Sequence, residues 1–205
     1  MRHLPVWAAS ALLLAATGCG EGAAPADVAS DPAGSDAPAA AQAAPAPGPL
    51  GAADQAALDD PCSLLSGAQV RQIVGRDDYD DGSPGDALGE GVGGGSSCQW
   101  MGPVFGVAAE RPPIVSVVVI PPRDGRRWTE SIRASPSAGC AQDAAPGAGP
   151  GAIFEECEGR RELPLYVPAR ALDLLVAIEV VPPATTESVR PMLVQLAEAA
   201  AAGLR

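Results

Sequence analysis

The sequence predicts an α+β fold: a single domain in which an antiparallel β-sheet is covered by a short N-terminal helix and a longer C-terminal helix and braced by disulfides. Three observations carry this. Helical apolar stripes stand near the start and at the end of the domain, extended β-branched or alternating runs lie between them, and four cysteines fall between residues 62 and 157.

The first element is a helix opened at Ser66. Ser66 can cap, Gln69 three residues later completes a capping box, and Leu65 with Val70 can form the hydrophobic staple. Val70, Ile73 and Val74 then face the core, and Gly75 supplies a left-handed stop. Residues 77–95 read as an acidic, Gly-rich loop, after which Ser97-Cys98-Gln99-Trp100 begins the strand half of the domain.

The run from Ile114 to Ile120, closed by Pro121-Pro122, reads as a strand with both faces covered. A brief helix is expected between Arg126 and Arg133, with Trp128 and Ile132 on one side. Residues 163–167 and 172–181 make a hairpin about Pro168-Ala169-Arg170-Ala171. In its second strand Leu172, Leu174, Val176, Ile178 and Val180 share one face and Asp173 and Glu179 the other, which predicts a sheet with one face fully buried. A last helix from about Ser188 carries the stripe Val189, Met192, Leu193, Leu196 and Ala200, with Pro191 placed in its first turn and Gly203 near its stop.

Ahead of the domain, residues 1–18 read as a signal peptide. Arg2 and His3 precede an apolar run from Leu4 to Ala16 that is too short for a membrane span. Ala16-Thr17-Gly18-Cys19 resembles a lipobox, which makes Cys19 the expected lipidation site and the membrane a partner through that anchor. Ala16 stands where Leu is usual, and secretion without lipid after Gly18 is the alternative.

Residues 19–60, rich in Ala, Pro, Gly, Ser and Asp, read as a disordered tether, because they offer too little apolar surface to offset the entropy of ordering. The globular domain is then 61–205.

The 205-residue chain has a formal net charge of -12 and no Lys, so its 13 basic residues are all Arg. That acidic balance argues against nucleic acid as a partner, since such binding draws on a basic footprint. His3 is the one His, so cleavage of the leader leaves none. Ser-His-Asp and Cys-His arrangements, His-ligated metal centres, Schiff-base lysines and P-loops are all excluded from the exported chain. No cofactor is expected.

With Cys19 assigned to lipid, Cys62, Cys98, Cys140 and Cys157 remain, and four cysteines allow three pairings among which sequence does not choose. The pairing we favour is Cys62–Cys98, pinning the first helix to the sheet, with Cys140–Cys157 closing a Pro/Gly-rich loop. The spacings contain no CxxC pair, which disfavours a metal site.

Asp60-Pro61-Cys62-Ser63-Leu64-Leu65, a short capped helix ending in Gly75, and then Cys98-Gln99-Trp100 together resemble an actinobacterial lipoprotein family of unknown function (domain of unknown function 3558). The likeness covers residues 60–101 well and 172–205 loosely. It implies a Cys62–Cys98 bridge and an envelope location and no activity; Cys140 and Cys157 are additions to its pattern.

Several clusters could carry chemistry. Asp78, Asp80 and Asp81, with Asp77 and Asp86, form the densest acidic cluster and are the weak calcium candidates, but Tyr79 and Leu88 occupy EF-hand ligand positions and a solvated loop is favoured. Glu155, Glu156, Glu158 and Glu162 are candidate carboxylates for glycosidic hydrolysis, with surface acids the plainer reading. Arg123, Arg126, Arg127 and Trp128, with Arg160 and Arg161 further on, could contact an anionic ligand or a partner. Trp100 is expected in the core.

The expectation is a lipid-anchored, non-catalytic envelope protein that binds an envelope protein or small molecule. A carboxylate-based hydrolase of cell-wall glycans and a purely structural surface lipoprotein are the alternatives.

Overall fold

The computed structural model describes residues 44–85, 95–102, 114–179 and 185–205. Cys19 and the signal peptide lie outside these residues, as do Asp86 and Val180. Seven strands form one antiparallel sheet: β1 (Ser83–Pro84), β2 (Ser96–Trp100), β3 (Val115–Ile120), β4 (Cys140–Ala144), β5 (Ile153–Cys157), β6 (Glu162–Ala169) and β7 (Leu172–Glu179). Their order is β1-β2-β3-β7-β6-β5-β4, which puts the hairpin β6–β7 at the centre and the shortest strand at one edge. The helices are α1 (Ala52–Asp59), α2 (Gly67–Val74), α3 (Trp128–Ala134) and α4 (Thr186–Gly203), with a 3-10 turn at Pro61–Leu64.

The larger core lies between one face of the sheet and α1, α2 and α4. Val115, Val117 and Val119 of β3, Leu163, Leu165 and Val167 of β6, and Leu172, Leu174, Val176 and Ile178 of β7 all point into it. They meet Val70 of α2 and Val189, Leu193, Leu196 and Ala200 of α4, the stripe that helical periodicity predicts. Trp100 and Cys98 belong to the same cluster and are fully buried.

The local signals for α2 hold in detail. Ser66 N donates to Gln69 Oε1 at 2.9 Å, Gln69 N donates to Ser66 Oγ at 3.3 Å, and Gly75 takes φ 73°. Cys62–Cys98 and Cys140–Cys157 are the two bridges. The second joins register partners on adjacent strands β4 and β5.

Three expectations are corrected. The segment 19–60 is not tether to its end, because α1 occupies Ala52–Asp59 and buries Asp54 and Ala57. Gly51 N donates to Asp54 Oδ2 at 2.8 Å, Arg170 pairs with Asp54 at 3.4 Å, and Arg127 Nε donates to Pro45 O at 2.8 Å, so polar partners add to the small apolar contribution of Ala57 and Leu58.

The sheet also does not leave its second face to solvent. Over β7 every residue from Leu172 to Ile178 is buried, because α3 lays Trp128 and Ile132 on Val118, Ile120, Ile153, Tyr166 and Leu175. Asp173 sits on that face without water because Arg127 pairs with it.

The last helix begins earlier than expected, at Thr186, capped by Thr185 whose Oγ1 accepts from Ser188 N at 3.3 Å. Pro191 therefore lies inside the helix, in its second turn, on the exposed side. Pro191 has no N–H to offer the carbonyl of Glu187, and both residues are exposed.

Gly203, expected near the stop of this helix, is its last residue. A Cβ there would meet Leu64 O at 2.8 Å, so it is the close approach of helix and 3-10 turn that calls for glycine.

Candidate functional site

Side chains alternate along each strand, so the face opposite the main core presents Gln99 of β2, Ser116 and Val118 of β3, Leu175 and Glu179 of β7, and Glu162 and Tyr166 of β6. α3 covers only part of this face. Beside it the sheet floors a groove of about 730 Å³, with Trp128 forming the wall toward α3. Ser116, Leu175, Tyr166 and Gln99 line its body, and Arg160, Arg161, Glu162 and Glu179 its charged end, where Ile114 stands across from Glu179. That volume is in the range of small-ligand sites.

The charged end follows from the hairpin. The β6–β7 turn pairs Ala169 with Leu172, and the same register places Glu162 directly opposite Glu179. Two like charges in such cross-strand contact oppose each other. Glu162 holds its proton to higher pH than an ordinary glutamate, because burial disfavours its charge and Glu179 adds to the effect, although Arg160 acts against it.

No ion pair joins Arg160, Arg161, Glu162 or Glu179 to a described residue, whereas the fully buried acids Asp54, Glu155 and Asp173 each have a partner. Ser116 is only 3% exposed, lines the groove, and makes no side-chain hydrogen bond among the described residues. Tyr166 donates to Glu155 Oε2 at 3.4 Å, and burial together with the neighbouring Glu155 charge raises its phenol pKa.

A second, smaller cleft of about 530 Å³ lies on the other side of Trp128, lined by Ile120, Pro121, Arg123, Asp124, Arg126 and Ser131. It is built on a tight turn in which Asp124 and Gly125 take φ 53° and 71°, with Arg123 and Arg126 exposed on either side.

The arginine-tryptophan cluster read from the sequence therefore splits. Arg123, Arg126 and Trp128 line the smaller cleft. Arg127 is 2% exposed and donates to Leu172 O at 2.8 Å, to Asp173 Oδ1 at 3.2 Å, and to the carbonyl of Arg170. Asp173 Oδ2 also accepts from Thr129 N at 2.9 Å. Arg127 is a bracket between α3 and the central hairpin, with no face free for a ligand.

The calcium candidates are each engaged separately. Asp78 pairs with Arg76 at 2.6 Å, a hydrogen bond that holds its pKa below the usual value. Asp81 pairs with Arg71 at 3.0 Å, and Asp80 Oδ1 accepts from Gly82 N and Met101 N. Among the described residues one group of metal-ligating side chains gathers within 4.8 Å, Cys140, Glu155 and Cys157, and both cysteines are spent in the disulfide.

Of the four glutamates considered for hydrolysis, Glu155 is buried and accepts from Ser137 N and Oγ. Glu156 pairs with Arg190, whose guanidinium also meets Asp143 and stands 4.9 Å from the Phe154 ring centre. Glu158 is exposed. Only Glu162 enters the groove.

Its companion Glu179 was read from sequence as a solvent-face residue, and Ser116 and Gln99 were not singled out. Counting register outward from the two-residue turn would have found the Glu162–Glu179 pair. The chain matches no family model, no curated protein and no solved structure.

Proposed function

We propose that this chain is an exported lipoprotein, anchored through a lipidated Cys19, whose domain binds an envelope protein or small molecule in the groove beside α3 without transforming it. The lipobox-like Ala16-Thr17-Gly18-Cys19 supports the anchor, and two disulfides fit an oxidising compartment. No helix among the described residues is long and apolar enough to cross a membrane. The Cys62–Cys98 bridge agrees with the resemblance to the actinobacterial lipoprotein family and supports membership in it.

The observation that carries the binding reading is the groove of about 730 Å³ itself, in which Ser116, Gln99, Glu162 and Glu179 place polar groups around the apolar surface of Leu175 and Trp128. A concave site of this size with a few polar groups on a partly apolar floor is the usual form of a small-ligand site. Photo-crosslinking in living cells tests the reading. A benzophenone side chain is placed at Gln99 or Glu179 in the groove, and at Glu198, exposed on α4, as the control. A discrete product from the groove positions and none from Glu198 is expected; identical patterns from all three overturn the proposal.

The hydrolase reading draws on one observation, the Glu162–Glu179 pair with its raised Glu162 pKa. Against it, both carboxylates rise from neighbouring strands of the same floor, whereas glycosidic hydrolysis uses carboxyls that flank the scissile bond. Turnover of a cell-wall glycan that is lost in both Glu162→Gln and Glu179→Gln would replace the binding reading with this one.

A further inference from the structure

The groove sorts its lining by chemistry. Arg160, Arg161, Glu162 and Glu179 gather at one end, and the apolar surface of Leu175 and Trp128 lies toward α3. Resting on the reading of this groove as a ligand site, we propose that its ligand is a zwitterion of the amino-acid or short-peptide class, bound by its ammonium and carboxylate at the charged end with its apolar side chain along the floor.

Both charges of the ligand are needed to satisfy what the protein presents. Glu162 and Glu179 stand opposite each other on adjacent strands with no ion pair to a described residue, and an ammonium between them converts a like-charge juxtaposition into two charge-assisted hydrogen bonds. Arg160 and Arg161 open the same end with guanidinium groups that likewise pair with no described acid, and guanidinium is the side chain suited to bidentate capture of a carboxylate.

A simple cation would meet those two arginines, and a simple anion would meet the two glutamates. A neutral sugar would supply neither an ammonium for the two glutamates nor a carboxylate for the two arginines. The hydroxyl of Ser116, unpartnered among the described residues, is placed to bond a polar atom of the ligand body. The groove's volume of about 730 Å³ leaves space for more than one residue, which favours a peptide with apolar side chains over a free amino acid.

The test is titration of the isotope-labelled full-length chain, followed by amide NMR. The probes are leucyl-leucine, its N-acetylated form, its C-terminal amide, and cellobiose as a neutral sugar of comparable size. Leucyl-leucine is expected to move the amides of Ser116 and Glu179, and each blocked form to bind at least about tenfold more weakly, the loss of one charge-assisted contact. In Glu179→Gln the penalty for acetylation is expected to shrink, and in the Arg160→Ala/Arg161→Ala double variant the penalty for amidation. Arg160 and Arg161 are exposed, so that variant is expected to fold.

Equal binding of all three peptide forms overturns the zwitterion. Binding of cellobiose at these amides without leucyl-leucine overturns the ligand class while leaving the groove as a binding site. Failure of every probe to move any groove amide, together with groove crosslinks no different from those at Glu198, removes both.

Discussion

Arg127 and Asp173 form an ion pair in which both side chains are 2% exposed, with Nη1 and Oδ1 3.2 Å apart, linking residues 46 apart in sequence. Breaking such a pair strands a charge in the interior. Asp173→Ala is expected to lower the unfolding free energy by about 3–5 kcal/mol, whereas replacing both partners with apolar residues should cost clearly less than either single change. Urea denaturation of the two single variants and the double variant measures this.

A chain beginning at Pro61 should be less stable than one beginning at Ala44. It loses Ala57 from the core, leaves Arg170 without Asp54, and removes Pro45 O from buried Arg127. Thermal unfolding of the two lengths compares them directly, and a loss on the order of 2–4 kcal/mol is expected from a lost apolar contact and an unsatisfied guanidinium.

The boundary error shows why part of this fold was legible and part was not. α2, the central hairpin and the stripe of α4 are written in neighbouring residues: Ser66 with Gln69, Leu172 with Leu174, Val189 with Leu193. α1 is Ala-rich and flanked by prolines, so its composition resembles a tether; it is fixed through Asp54 by the distant Arg170, and the segment before it through Pro45 by Arg127, 82 residues away. Asp173 looked solvent-facing for the same reason: the partner that makes its burial tolerable is distant in sequence. In the groove, Trp128, Arg160, Arg161 and Glu162 were noticed as types, but their grouping with Glu179 and Ser116 depends on strand order and the placement of α3.

Glu162 gives a pH dependence of definite sign. Its folded-state pKa is raised by burial and by Glu179, so the folded chain keeps this proton to higher pH than the unfolded chain does. The site is least costly to folding while protonated, and stability is lost as pH rises through the ordinary carboxylate range toward the folded-state value. Glu162→Gln, which cannot ionise, should gain stability over the native chain as pH moves from acid to neutral. Melting temperatures of the two proteins across that range should diverge in that direction; constant spacing would contradict it.

The two bridges should differ in resistance to reductant. Each bridge joins a buried cysteine to a half-buried one, but Cys62 and Cys98 pack in the main core, whereas Cys140 lies on edge strand β4. Limited reduction followed by alkylation and mass spectrometry is expected to label Cys140 and Cys157 first. Removing Cys62–Cys98, with a sequence separation of 36, is expected to cost about 4 kcal/mol, and removing Cys140–Cys157, with a separation of 17, about 3 kcal/mol.

Gly203→Ala should destabilise the chain although alanine is the better helix former. The added methyl meets Leu64 O at 2.8 Å, backbone that cannot step aside without moving the 3-10 turn. A loss of about 1–3 kcal/mol by denaturant titration is expected from the overpacking.

Arg170 stands at the turn between the two central strands, with φ 54°; its Nη1 donates to Leu204 O at 2.6 Å, its Nε pairs with Asp54, and its carbonyl accepts from Arg127, which also holds Pro45. Both ends of the domain are thus knotted to one hairpin. A pull arriving through residue 44 is delivered to the middle of the sheet, where strands must slide against a full ladder of hydrogen bonds, rather than to an edge that could be peeled away.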